Sequence, residues 1–318
     1  MFKLLRKKTY LWIAGFLLIS MALTFFVVYS AYTSLLTKDF LKKQKFLALQ
    51  TAQTLQEYFL SLEEQINLLI NKNQDSFNLA ETNYLSLNNI HFDNMDFSQI
   101  KIYYADQVFT IFTAITNDSL SGKGLSVSEI KDITNGLDAI WYTFTYSVDT
   151  QVNTELLYVK RIILGRETVG YLTASVAPTT LERILSLSAG SYTSRGSQLF
   201  ADYSTAAIQL PSGLYQCSVN PIAPHFASTL ALAEDNIYGN SYQLQCELGI
   251  QDMTLILQGN AEHFQSYLIF IHRILIVAYI IIAILMIIFL YLFTLKIDAT
   301  INKLYDKMKL DSAKEPLK

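Results

Sequence analysis

The chain has 318 residues, of which 51% are hydrophobic, 13% aromatic and only 16% charged, with 24 basic side chains against 27 acidic ones. Mean hydropathy is +0.26. Those figures exclude a disordered chain, which needs low hydrophobicity, and a general nucleic-acid binder, which needs a basic excess. They also weigh against an ordinary cytosolic enzyme.

Two long apolar runs divide the chain. Thr9 to Thr37 is 29 residues without a charge, and Ile274 to Leu295 is 22 uncharged residues bounded by Arg273 and Lys296. About 20 apolar residues cross a bilayer as a helix, because every backbone polar group must be bonded within the segment. The basic start MFKLLRKK also suits a signal peptide. The apolar run is too long for one, however, and it continues into a helical pattern, so an uncleaved anchor is expected. Neither of these two runs holds an acidic or basic residue, which argues against a pump or a transporter.

The flanks orient the spans. Lys3, Arg6, Lys7 and Lys8 precede the first, and Lys296, Lys303, Lys307, Lys309, Lys314 and Lys318 follow the second. The positive-inside bias predicts a two-pass plasma-membrane protein with both termini cytoplasmic and residues 33–272 extracellular. That central stretch has 13 basic and 23 acidic residues, a net charge of −10. The bilayer is thus an expected partner, and nucleic acid is not.

Residues 31–72 contain neither Pro nor Gly. Phe40, Leu47, Leu55, Phe59, Leu62, Ile66 and Leu69 recur at helical spacing, which predicts a long amphipathic helix. It reads either as a core helix of the outer domain or as a stalk and homodimer seam. The polar stretch 73–96 reads as a connection. Runs at 101–106, 107–115, 139–148, 155–164 and 168–176 are rich in Ile, Val, Thr, Tyr and Phe, and read as antiparallel strands. Turn residues separate them at 105–106, 121–124, 135–136 and Gly165. A short helix is predicted over 179–188. A smaller strand set follows at 197–203, 206–210, 214–219, 241–248 and 253–258. No internal sequence repeat stands out.

The fold class expected is therefore α+β, a long N-terminal helix with two PAS-like antiparallel-sheet units between two transmembrane helices. The predicted segments are a tail (1–8), a first span (9–32), a stalk helix (33–72), a membrane-distal unit (73–190), a membrane-proximal unit (191–266), a second span (267–295) and a short cytoplasmic helix (296–318).

Cys217 and Cys246 are the only cysteines. Both fall on predicted strands, at positions facing the same core by period-two alternation. An extracytoplasmic setting permits a disulfide, which would stabilise by about 3–4 kcal/mol in the chain-entropy account. Two separate buried thiols are the alternative.

No catalytic pattern emerges. His91, His225, His263 and His272 lack ligand spacing, and GxxxxGK[ST], GxSxG and GxGxxG are all absent. No enzyme activity, metal or cofactor is expected. The 23 residues after the second span are too few for a folded output domain.

The order of elements resembles double Cache (dCache) extracellular sensors, especially those of YesM-type sensor histidine kinases and some chemoreceptors. The likeness rests on the long helix leaving the first span, on Trp141–Tyr142 opening a strand, and on ELLYVKRIILGRETVGYLTASVAPTTLERILS at 155–186. TINKLYDKMK at 300–309 is similar to the opening helix of a HAMP-type linker. The resemblance implies a sensor fold without the kinase. It also implies a departure in ligand. Amino-acid-binding members carry an Arg where this chain has Ala139, and an Asp where it has Ser175. Trp141, Tyr142, Tyr158 and Lys160 are the candidates to line a pocket, with filling of the sheet–helix core as their other reading.

Two functions compete. The first is a sensor or receptor subunit for signal transduction, forming a homodimer. It would bind a small ligand or extracellular protein and relay the event to a separately encoded kinase or response system. The second is an accessory or scaffold membrane protein whose outer domain binds a transporter or secretion component.

Overall fold

The computed structural model describes residues 2–80, 86–87, 90, 92, 96–104, 107–113, 125–148, 151–190, 203–218 and 235–312. The turns expected at 105–106 and 121–124, and all but the last residue of the strand expected at 197–203, lie outside them. The architecture is α+β, with a long N-terminal helix, two antiparallel sheets and a C-terminal helix. Two compact units divide the chain, Met1–Asp39 with Phe264–Lys318, and Phe40–His263.

The first unit pairs the start of α1 (Phe2–Lys72) with most of α5 (Glu262–Ser312). Thr24 Oγ1 lies 3.1 Å from the Tyr279 hydroxyl, and Tyr29 Oη lies 3.1 Å from His272 Nδ1. One number rises as the other falls, so the pair is antiparallel. The Phe25 and Tyr279 ring centroids lie 4.4 Å apart, the rings tilted by 52°. Most of the large side chains around these helices point outward, from Trp12, 80% exposed, to Phe289, 63% exposed. An apolar surface so continuous suits lipid and would aggregate in water. Both helices are long and apolar enough to cross a membrane. Two such helices flanking a folded domain are the arrangement of a two-pass membrane protein.

The second unit is built along α1. The chain's first proline is Pro178, so nothing breaks the hydrogen-bond ladder of α1. Ala48, Ala52, Leu55, Phe59, Leu62 and Ile66 are buried on one stripe. Of the apolar residues that predicted the helix, only Leu47 is not fully buried. Short α2 (Gln74–Ala80) occupies part of the stretch read as a connection.

The first sheet contains β1 (Phe97–Tyr104), β2 (Gln107–Thr113), β3 (Ala139–Val148), β4 (Gln151–Leu164) and β5 (Glu167–Val176), in the order β2-β1-β5-β4-β3. Gly165 takes φ +64° in the β4–β5 turn, as a turn glycine can. Between β2 and β3 lies α3 (Val127–Thr134), a helix the sequence reading missed. Ser126 and Glu129 cap it reciprocally, a capping box, and Asn135 at φ +43° ends it. The Asn135–Gly136 turn is thus a helix stop. After β5 comes α4 (Pro178–Gly190), as expected.

The second sheet contains β6 (Tyr203–Leu210), β7 (Gly213–Ser218), β8 (Asn236–Tyr238), β9 (Ser241–Glu247) and β10 (Thr254–Asn260), in the order β7-β6-β10-β9-β8. Counted within each sheet the order is the same, 2-1-5-4-3. The repeat invisible in the sequence is present in the topology.

That topology overturns the disulfide. Cys217 pairs with Ala206 on β6, while Cys246 pairs with Leu255 on β10. The strand order β7-β6-β10-β9 therefore puts two strands between the cysteines. Three inter-strand steps amount to about 14 Å, against the 4.4–6.8 Å that Cα atoms of a disulfide usually span. Cys246 is a buried free thiol. Period-two reasoning found its face correctly but could not supply the strand order. Burial pushes its thiol pKa up to about 11.

Candidate functional site

Each face of the first sheet follows from register. Trp141 pairs with Tyr158, Tyr158 with Ala174 and Ala174 with Ile100. This row faces α1. Trp141 is 2% exposed, its ring 4.9 Å from both Phe59 and Tyr158. Its Nε1 donates to Glu63 Oε1 at 2.6 Å. Burial, with Glu63 and Asp138 adding to it, raises the Tyr158 phenol pKa. Lys160, on the same face by alternation, pairs with Asp138 at 2.6 Å.

The four residues singled out from sequence therefore do not converge. Trp141, Tyr158 and Lys160 belong to the helix-facing side. Tyr142 is on the other side, in the row of Leu157, Ser175 and Gln99. Two cavities lie on that other side among the described residues, and none of the four lines either.

The larger cavity, about 400 Å³, lies between α3 and strands β1, β4 and β5. Tyr103, Tyr171, Val127 and Val169 supply its aromatic and aliphatic wall, and Arg161 and Lys131 its two charges. Arg161 Nη1 donates to the Gly136 carbonyl at 2.7 Å, and Nε donates to Thr168 Oγ1 at 3.2 Å. Both acceptors are neutral. Gly170 is required at the floor, since a Cβ there would come within 2.6 Å of the Tyr103 carbonyl oxygen.

A smaller cavity, about 30 Å³, follows along the same face, with Tyr103 lining both. The Glu155 carboxylate accepts from Tyr146 Oη at 2.7 Å and from Ser175 Oγ at 2.9 Å. A carboxylate thus stands beside Ser175 after all, delivered by β4. Half-buried Lys101 shares this cavity, and desolvation lowers its pKa. The Tyr146 phenol is raised by burial and by Glu155.

Sequence reasoning missed Arg161, Lys131, Lys101, Tyr103 and Glu155. Lys160–Arg161 is a visible cation pair, but alternation sends its members to opposite faces. Only the order β1-β5-β4 brings Arg161 into one row with Tyr171 and Tyr103.

This sheet is also tied to the second one. β3 is its edge strand, with backbone N–H groups that β4 cannot satisfy. Trp141 N donates to Gln251 Oε1 at 2.7 Å, and Thr143 N to Ser212 Oγ at 2.9 Å. Gln251 and Ser212 lie in the turns β9–β10 and β6–β7. Gln251 holds φ +42°, unusual for a residue with a side chain.

Among the described residues no group of three or more His, Cys, Asp or Glu could hold a metal ion. No protein-family model matches the chain. No curated protein matches it either. Among solved structures it is similar to the sensory domain of the Campylobacter jejuni chemoreceptor Tlp3 with isoleucine bound, at 12% identity and TM-score 0.45, over 72% of this chain and 96% of that one. It is similar to the extracellular domain of a histidine kinase, vpHK1S-Z8, at 13% identity and TM-score 0.45, over 74% and 96%. The ligand-binding domain of the Pseudomonas fluorescens chemoreceptor CtaA with L-leucine has 12% identity and TM-score 0.40, over 67% and 91%. These structural neighbours are ligand-binding sensory domains of chemoreceptors and the extracellular domain of a histidine kinase.

Proposed function

We propose that the chain is a membrane-anchored sensor subunit that binds a small ligand on the cavity face of its first sheet and relays occupancy through α1. The observation that carries this reading is the position of β3. It pairs with β4, which lines both cavities, and its Trp141 is hydrogen-bonded to Glu63 of α1. α1 begins as an apolar span, so a shift of this sheet has a covalently continuous path to the membrane. Such a shift requires a ligand that binds two conformations with different affinity.

In this reading the domain is extracellular, both termini are cytoplasmic, and output comes from a separately encoded kinase or response system. The charge bias of the flanks supports that orientation. The protein acts as a homodimer. Opposite the buried stripe of α1, Phe46, Leu49, Leu60 and Leu68 are about half exposed or more, at 61%, 50%, 48% and 59%. At 100° per residue these four share one face, a seam suited to a second copy.

The test uses the full chain in lipid nanodiscs. A thermal-shift screen against amino acids, organic acids and sugar phosphates should return a stabilising compound. Hydrogen exchange over residues 45–69 should then change on its addition. Absence of any stabilising compound, or binding that leaves α1 exchange untouched, would overturn the sensing role.

A further inference from the structure

We propose that the larger cavity binds a small organic anion, its carboxylate or phosphate group held by Arg161 and Lys131. The inference rests on the sensor reading and names the chemistry of its ligand. Three observations point the same way.

The first is charge. The lining residues include two cations, from β4 and from the last turn of α3, and no carboxylate. Neither Arg161 nor Lys131 forms an ion pair among the described residues. This is notable in a segment whose net charge is −10, where acidic partners abound. Lys160, one residue away, has taken Asp138.

The second is orientation. A guanidinium has five N–H donors in a rigid fork. Arg161 uses one on the Gly136 carbonyl and two on Thr168 Oγ1, so two remain. Neutral acceptors fix the group without cancelling its charge. That is preorganisation for an incoming anion, since charge-assisted bonds from Arg to carboxylate or phosphate are the strong ones.

The third is the rest of the wall. Tyr103, Tyr171, Val127 and Val169 are aromatic or aliphatic. They suit an organic body attached to the charged group, and about 400 Å³ falls within the range of small-molecule sites. The Tyr103 phenol, its pKa raised by burial, stays a neutral donor at neutral pH and does not repel an anion.

Benzoate and phenyl phosphate are suitable probes, with benzamide as the uncharged isostere. Calorimetric titration of the full chain in nanodiscs should show at least one anion binding with a Kd in the millimolar range or tighter, and at least tenfold tighter than benzamide. Which anion wins separates carboxylate from phosphate. Arg161→Gln should weaken binding tenfold or more, and Arg161→Lys should restore part of it. Arg166→Gln, at an exposed cation outside the cavity, should leave it unchanged. If Arg161→Gln fails to fold, Lys131→Gln, at an exposed helix position, should still weaken binding several-fold. Anions binding no better than benzamide, or binding equally well to Arg161→Gln or Lys131→Gln, would overturn the proposal. Anion binding without change in α1 exchange would support this site and sink the sensing role, so the two failures are distinguishable.

Discussion

The two sheets share one strand order and one supporting helix, yet their faces differ. Both turn an apolar row toward α1. In the first it is Trp141, Tyr158, Ala174 and Ile100; in the second Leu244, Leu257 and Ala206. On the opposite face the first sheet carries Arg161, Lys101 and Glu155 around cavities. The second carries neutral Thr205, Gln258 and Gln243 in one cross-strand row, with Thr205 donating to Gln258 at 3.3 Å. The fold is therefore a scaffold used twice, and among the described residues these cavity-lining charges belong to the first copy of it.

Each sheet is anchored to α1 through one buried aromatic side chain, Trp141 in the first and Tyr242 in the second. Trp141→Ala removes a buried ring and the Glu63 bond, and should cost about 3–5 kcal/mol in thermal unfolding of the full chain. A loss below about 1 kcal/mol would mean that the first sheet does not depend on α1 there. On the second sheet Gly259 lies opposite Tyr242, whose ring occupies the space a methyl would need. Tyr242 Oη donates to Gln44 of α1 at 3.0 Å. Gly259→Ala should cost about 1–3 kcal/mol by overpacking, and should leave anion binding at the first sheet intact.

The junction between the sheets is the next test. A double-mutant cycle of Thr143→Val and Ser212→Ala should give a coupling energy of about 0.5–1.5 kcal/mol. Additive effects would mean that the sheets are only neighbours.

The smallest effect concerns Cys246. Its folded pKa, about 11, is raised above the ordinary 9.0. A raised folded value favours the protonated thiol, so its contribution is fully present below pH 9 and lost as pH rises through 11. Cys246→Ala should flatten unfolding stability across that window, and below pH 9 change it by an amount that does not vary with pH. Without reductant, iodoacetamide should label Cys246 only after denaturation. Failure to label it then would restore a bonded cysteine.

Much of the secondary structure was legible because it depends on local periodicity. The buried stripe of α1 and most strands follow from spacings of 3.6 and 2. α3 escaped because eight residues give too few turns for a periodic signal, although Ser126 and Glu129 were a readable capping box. The site escaped for a different reason. Arg161, Tyr171 and Tyr103 are neighbours only through the pairing of three strands far apart in sequence, and no local pattern encodes which strands pair. The same ignorance of strand order joined Cys217 to Cys246, and left Trp141 with two readings, pocket wall or sheet–helix core, of which its contact with Phe59 matches the second.

Tyr103 forms a wall common to both chambers on the first sheet. A partition of that kind makes occupancy of one side a matter for the other. A molecule pressed against the ring from the Arg161 side restricts the positions open to it on the Glu155 side. The smaller chamber, about 30 Å³, has room for about one water molecule. A guest on the Arg161 side and that water would therefore not bind independently, and whatever factor one imposes on the other must be returned.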